Sequence, residues 1–286
     1  MKIAYITDSG TGYSINEMAE NKVFSLPLQL SYDDQNFFDL EQIKTGELIS
    51  LLKQSKVIKT SLPNLGLTDE LFRKLKEEQF EKIIAVPICS GLSGTMNSFY
   101  LKAQEYDISI SCVDTHTTAE IQKYLINFFK DYINDDEGKI NEAFEIANEV
   151  IDSANTLIVP NDLNHLKRGG RLSPAANMLA NLLKIKPILK INKDTSGRIE
   201  AIDKVRTFSK ALSTAIDIII NDINDQEYLI YIAHVDNYGD AATAKEKLEA
   251  QLTNAKINII PLCNSVAAHC GLGTIAIQYF KKISDY

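Results

Sequence analysis

Between the apolar run Lys82–Ile88 and a stretch of helical character lies Cys89-Ser90-Gly91-Leu92-Ser93-Gly94-Thr95. Its glycines let the backbone turn tightly and approach a ligand, and its serines and threonine offer hydroxyls. Open α/β sheets bind ligands at the carboxyl ends of their strands, where the unpaired amides and dipole of the following helix favour an anion. The ordinary alternative is a simple N-cap for that helix. A second hydroxyl pair stands in Thr60-Ser61-Leu62-Pro63-Asn64. Pro63 suits a first helical turn, so Thr60 and Ser61 either cap a helix or face the same anion as Ser93. His269, in Ala267-Ala268-His269-Cys270-Gly271-Leu272-Gly273, can donate to a carboxylate and titrates near neutrality, although a lone histidine is more often structural. Lys167, Arg168 and Arg171 surround Gly169-Gly170, either as a helix end with solvated charges or as a receiver for phosphate or an acidic partner. Arg206 is a candidate for the same surface.

A hydrolytic alternative uses the same residues. Gly91-Leu92-Ser93-Gly94-Thr95 approaches the G-x-S-x-G nucleophile elbow, with Thr95 in place of the last glycine. Ser93 would be the nucleophile of an acyl-ester hydrolase and His269 its base, with Asp8 or Asp114 as acid partner. An autonomous small-molecule kinase ranks last, because G-x-x-x-x-G-K-[ST] is absent from the chain.

Composition narrows the partners. Of 286 residues, 45% are apolar and 24% charged, with a formal net charge of −8. That balance suits a globular protein and argues against general nucleic-acid binding or electrostatic docking on an anionic bilayer. Apolar runs are strand-sized rather than membrane-spanning, so stable membrane insertion is not expected. Asp8 interrupts the N-terminal apolar run too early for a signal-peptide core. Cys89, Cys112, Cys263 and Cys270 form no C-x-x-C pair and bear no ligand spacing to the four histidines. They read as reduced thiols in a cytoplasmic protein, with no metal site.

These candidate residues need strands and helices to position them. Apolar runs at Met1–Thr7, Val23–Leu30, Lys82–Ile88 and Ile108–Val113 read as strands. Between and after them, Thr45–Lys53, Asn64–Gln79, Thr95–Glu105, Ala119–Asn134 and Ile140–Ser153 read as helices. Such alternation implies a mainly parallel sheet. The pattern restarts at Thr156–Val159. Helices follow at Leu163–Lys167, Ser173–Leu183, Ser209–Asn221 and Ala241–Leu252. Lys186–Asn192 and Ile199–Val205 form a hairpin, Tyr228–His234 and Ile257–Leu262 are further strands, and Thr274–Phe280, after a glycine turn, is either strand or helix, with strand preferred. The expectation is α/β: two α/β domains, 1–155 with a mainly parallel sheet and 156–286 with a mixed sheet.

In their order along the chain these segments resemble the DegV family of bacterial fatty-acid-binding proteins, which includes the fatty-acid-binding (FakB) subunits of fatty acid kinase. The resemblance spans essentially the whole chain. It rests on Thr7-Asp8-Ser9, Thr60-Ser61-Leu62-Pro63, Ser90-Gly91-Leu92-Ser93-Gly94-Thr95, Val113-Asp114-Thr115, Leu166-Lys167-Arg168-Gly169-Gly170-Arg171-Leu172-Ser173, Lys186-Pro187-Ile188-Leu189 and His269-Cys270-Gly271-Leu272-Gly273. Leu62 and Asn64 stand where the family often has Gln and Ser, Arg168 where Lys is common, and Leu272 where Pro is common. The resemblance implies a long-chain fatty acid in a tunnel between two domains. Thr60, Ser61 and Ser93 would hold its carboxylate, with Gly94, Thr95 and His269 completing the polar end. It implies a carrier with no cofactor and no catalysis of its own. A separate fatty acid kinase would phosphorylate the bound acid for acyltransferases of phospholipid synthesis, docking at Arg171 and Arg206.

Overall fold

The computed structural model describes residues 1–179, 185–223, 227–284 and 286. In chain order the first elements are β1 (Ile3–Asp8), α1 (Ile15–Glu20), β2 (Phe24–Leu26), β3 (Gln29–Tyr32), β4 (Gln35–Phe38) and α2 (Thr45–Lys53). Then come β5 (Lys59–Ser61), α3 (Leu65–Glu77), β6 (Lys82–Ala85), α4 (Thr95–Glu105), β7 (Ser109–Cys112), α5 (Glu120–Ile133) and α6 (Ile140–Ser153). The remainder opens with β8 (Asn155–Val159), α7 (Leu163–Arg168), α8 (Pro174–Leu179), β9 (Lys186–Asn192) and β10 (Glu200–Val205). It closes with α9 (Phe208–Asp222), β11 (Tyr228–His234), α10 (Tyr238–Glu249), β12 (Ala255–Pro261), α11 (Asn264–Cys270) and β13 (Ile275–Lys281).

The protein is α/β, with a parallel sheet and a mixed sheet as expected. A four-stranded sheet, β2-β1-β6-β7, is parallel throughout. A six-stranded sheet, β10-β9-β8-β13-β11-β12, is antiparallel except where β11 meets β12. A third, antiparallel sheet of β4-β3-β5 was not anticipated. The single strand expected over Val23–Leu30 is two strands, broken at Pro27, which has no N–H to continue a ladder. β2 stays in the parallel sheet, while β3 leaves it to pair with β4 and β5. The expected helix Ser173–Leu183 runs over Pro174–Leu179, and its last residues lie outside the described ones.

Side chains alternate across the parallel sheet with the period of a strand. Ala4, Ile6, Ile83 and Ala85 pack on Phe72 and Leu75 of α3 and on Phe99 and Ala103 of α4. Ile3, Tyr5 and Ile84 face the other way, on to Ile121, Leu125, Phe128 and Phe129 of α5. That cluster also contains Leu229 of β11 and Phe280 of β13, so α5 and α6 form one layer covered by both large sheets. On the far face of the six-stranded sheet, Leu157, Val159, Ile230, Ile232, Ile275 and Ile277 meet α9 and α10.

The inner face of that sheet is divided by height. Leu229 pairs with Phe280 at the end packed on α5. The next inward-facing row is Thr156–Gln278–Tyr231, and the row beyond it is Ile158–Ala276–Ala233. Two small alanines leave space there, and Leu92, Ile199 and Val266 line the same space.

Candidate ligand-binding site

Three strand-to-helix connections converge on one cavity, and each leaves its hydroxyls available. Asn64, not Thr60 or Ser61, caps α3, its Oδ1 accepting from Gly66 N at 2.9 Å and Leu67 N at 3.2 Å. Thr60 instead sits in β5 opposite Leu30. Gly94 is the N-cap of α4 and has no side chain to satisfy the first turn, so the amides of Met96 and Asn97 are left for solvent or ligand. The turn at residues 89–94 is pinned from both sides. Asp8, fully buried, accepts from Ile88 N at 2.9 Å and Gly10 N at 2.8 Å. On the other side Gly91 lies so close to the β9–β10 turn that a Cβ there would sit 2.2 Å from the Gly197 carbonyl oxygen.

The head cavity has a volume of about 250 Å³. Thr60, Ser61, Ser93, Gly94 and His269, all singled out in the sequence, line it. Thr95 lies just behind, buried, its Oγ1 2.9 Å from Ser93 Oγ. Ser93 Oγ also accepts from Thr95 N at 3.3 Å. Ser61 is largely exposed, and its hydroxyl accepts from Gln29 Nε2 at 3.3 Å.

His269 differs from the expectation of a near-neutral titration. Burial, reinforced by the Arg171 charge and by His165, pushes its pKa down to about 3, so it is the neutral imidazole. Nε2 is 2.7 Å from Thr60 Oγ1, while buried Nδ1 has no hydrogen-bond partner among the described residues. A buried acceptor without a donor costs less than a buried N–H without an acceptor. We therefore assign the Nε2–H tautomer, with Nδ1 bare. Nε2–H then donates to Thr60, and the Thr60 hydroxyl proton is free to point into the cavity.

A residue missed in the sequence completes the set. Ser265, at the start of α11, lines the cavity, is buried, and has no hydrogen-bond partner for its hydroxyl among the described residues. Its only sequence signal was a polar pair, Asn264-Ser265, after an apolar strand. Neighbouring Asn264 donates to Ile43 O at 3.1 Å and adjoins buried Asp39. Asp39 Oδ2 accepts from Ser9 Oγ at 2.7 Å, and Ser9 Oγ accepts from Leu28 N at 3.0 Å.

Two further cavities adjoin this one. Behind Leu92, Ile199 and Val266, which line both, a narrow cavity of about 40 Å³ runs over Ala233 and Ala276 to Gln278. Its walls include Ile158, Ile191 and Leu262. On the opposite side Thr60, Arg171 and His269 separate the head cavity from a cleft of about 600 Å³ that Lys56, Lys59 and Arg168, against the single carboxylate of Asp162, make cationic. Arg171 lines both and donates through Nη1 to Gly169 O at 2.8 Å. Arg206 does not join them: it is exposed, past the end of β10 remote from Ile199, and lines neither cavity.

A Ser-His-Asp triad is not assembled. The described partner of His269 is Thr60, and those of Ser93 Oγ are the Thr95 hydroxyl and amide. Asp8 is consumed by Gln122 and two backbone amides, and Asp114 accepts from Ser90 Oγ and from His116 N. All four cysteines are free thiols.

Known proteins place this arrangement in context. A DegV domain-containing protein of Streptococcus pyogenes serotype M3 is 30% identical over 286 residues, covering 99% of this chain and 100% of its own. The crystal structure of a fatty acid binding DegV family protein from Streptococcus agalactiae is 27% identical and superposes with a TM-score of 0.88, over 99% of this chain and 100% of that one. A stearic acid-binding protein from Eubacterium ventriosum, 21% identical with a TM-score of 0.83 over 98% of each chain, shares the fold. The family model described as "Uncharacterised protein, DegV family" matches residues 2–282. With the hydroxyl loops and all three sheets inside that span, this chain belongs to the DegV family.

Proposed function

We propose that this protein is a fatty-acid carrier, binding a long-chain acid with its carboxylate in the head cavity and its chain past Leu92 into the apolar cavity. The observation that carries this reading is the pairing of unspent polar groups with an adjoining greasy channel. Thr60, Ser93, Gly94 at the N-terminus of α4, and Ser265, whose hydroxyl has no hydrogen-bond partner among the described residues, all line one space. A carboxylate removed from water needs several donors, and these hydroxyls supply them, with the Arg171 guanidinium also on the cavity wall. Each buried methylene then adds roughly 0.8 kcal/mol, so the chain supplies affinity while the hydroxyls supply orientation. Segments 1–155 and 156–286 act as two domains with the chain between them.

The cationic cleft beyond Thr60 and His269 suits what happens next. It would admit a phosphoryl donor held by a separate kinase, which phosphorylates the carboxylate, and an acyltransferase of phospholipid synthesis would later receive the acyl group. The carrier itself performs no catalysis. Arg171, at the boundary of the two cavities, is the residue best located to steady the phosphoryl group. Arg206, on the exposed surface, is suited only to docking the kinase.

Native mass spectrometry beside denaturing mass spectrometry tests the carrier reading. The expected result is a mass excess equal to a fatty acid, lost on denaturation. In titrations of delipidated protein, Ser93→Ala and Thr60→Val should each weaken octadecanoic acid binding by roughly 1–3 kcal/mol with the fold intact, each losing a hydrogen bond to a charged group. Wild-type affinity in both variants overturns the assigned head-group site.

A further inference from the structure

The narrow cavity lies where the six-stranded sheet carries alanine and ends where it carries glutamine. Ala276 and Ala233, beside Ile158, form one inward row along it, and Thr156, Gln278 and Tyr231 form the next, about 7 Å further along the strands. The row after that is Leu229 and Phe280, both buried against α5. The space that two alanines leave therefore leads to an amide, and behind the amide lies packed core.

That amide is held on every side. Gln278 Oε1 accepts from Ile121 N at 3.0 Å and Nε2 donates to Thr118 O at 2.7 Å. Its orientation is fixed, because one of these partners can only donate and the other only accept. Nε2 also lies 3.0 Å from Thr156 Oγ1 and 3.2 Å from Thr117 Oγ1, and those two hydroxyls bond each other at 2.8 Å. Thr118 Oγ1 donates to Gln122 Oε1 at 2.9 Å, and Gln122 Nε2 donates to Asp8 Oδ1 at 2.9 Å. Gln278 on β13 is thus tied to the start of α5, and the same network reaches the carboxylate that holds Ile88 ahead of the Ser93 turn. Gln278, Thr117, Thr118 and Thr156 are all buried.

How long a chain fits is a contest between two effects. Each methylene taken into apolar surroundings tightens binding about fourfold. Pushing past Gln278 breaks buried hydrogen bonds that a hydrocarbon cannot replace, at roughly five- to 150-fold for each group left unpaired. One further methylene does not offset one broken bond. We propose that Gln278, locked by Thr117, Thr118 and Thr156, is a chain-length stop: the site selects fatty acids whose methyl end lies over Ala276 and Ala233 and rejects longer ones. The proposal rests on the carrier reading above and deepens it by naming what sets the length of the acid. Ala276 and Ala233 determine specificity by the same argument, since a larger side chain at either moves the end of the cavity towards Leu92.

The experiment displaces a fluorescent fatty acid from delipidated protein with straight-chain saturated acids, from decanoic to tetracosanoic, two carbons at a time. Affinity is expected to climb roughly fifteenfold per step, reach a maximum, and fall at least about fivefold at the next step. Ala276→Val should move the maximum down by about one step and leave acids too short to reach it within about twofold of the parent. Gln278→Ala should move the maximum up by about one step or more, with thermal unfolding as the check that it folds. Ala233→Val, on the neighbouring strand, repeats the valine test without touching the network. The proposal is overturned if affinity climbs or stays level to the longest acid, the chain then leaving sideways past Ile260. It is also overturned if the valine variants weaken all acids alike with the maximum in place, or if folded Gln278→Ala keeps the parent's maximum. If no acid binds, the carrier reading itself falls. If all bind without a maximum and Ser93→Ala weakens them all, the carrier reading stands and the length stop does not.

Discussion

At the scale of single residues, the site is governed by buried groups whose charge the fold suppresses. Asp39 and Asp8 are both deeply buried, and desolvation raises their pKa values to about 7 and about 6. Asp39 Oδ1 is buried without a hydrogen-bond partner among the described residues. In the window between the ordinary carboxylate range and these raised values, the native state holds protons that the unfolded chain releases. Stability should therefore be greatest at the acidic end of that window and fall as pH rises through about 6 to 7. Asp39→Asn, an uncharged copy of the protonated acid, should flatten that fall and be the more stable protein above it. Urea midpoints for both proteins from mildly acidic to mildly alkaline pH decide the matter; parallel slopes would refute it. In the head cavity, Ser265→Ala should weaken fatty-acid binding by about 0.5–1.5 kcal/mol, read by titration, because it removes one donor and leaves none stranded.

At the scale of elements, glycine geometry makes the sharpest distinction. Gly91 has no room for a Cβ against Gly197, whereas Gly46 near the start of α2 has no atom within 4 Å of one. Gly91→Ala should cost about 1–3 kcal/mol in unfolding experiments, and should also weaken ligand binding by displacing Ser93. Gly46→Ala should instead stabilise by up to about 1 kcal/mol. Equal effects at the two positions would show that the close approach has no energetic weight. The glycines themselves were conspicuous in the sequence; what Gly91 touches was not, because Gly197 is brought to it by a different sheet. The same division holds elsewhere. Strand-end hydroxyls at Thr60 and Ser93 were legible because short polar loops after apolar runs carry a local signature. The capping box Ser14-x-x-Glu17 was equally local and was overlooked, and with it α1. Strands β4 and β5, of four and three residues, are too short for alternation to be read. The polar row Thr156–Gln278–Tyr231 depends on the register of three strands far apart in the chain, which no local pattern encodes. Arg206 was grouped with Arg171 on charge alone, and β10 carries it to the other end of the sheet.

At the scale of the whole molecule, α5 and α6 are the layer against which both large sheets pack. Phe128 is fully buried there, so Phe128→Ala should cost about 3–5 kcal/mol. Because both sheets rest on that layer, fluorescence and circular dichroism should report a single shared transition. A fatty acid bound between the sheets would add to the same cohesion. At a free concentration a hundred times Kd it should stabilise the protein by about 2.7 kcal/mol, visible as a rise in Tm. The three side chains dividing head from tail bear on timing as well. Leu92 comes from the turn before α4, Ile199 from the approach to β10 and Val266 from α11, and the passage behind them is narrow. A long chain cannot thread that constriction without the surrounding elements separating, so escape becomes a property of the container rather than of the cargo. Residence time should then vary little among acyl chains that differ several-fold in affinity. It should be unmoved by excess competitor in the medium and should shorten steeply with warming, as breathing motions do.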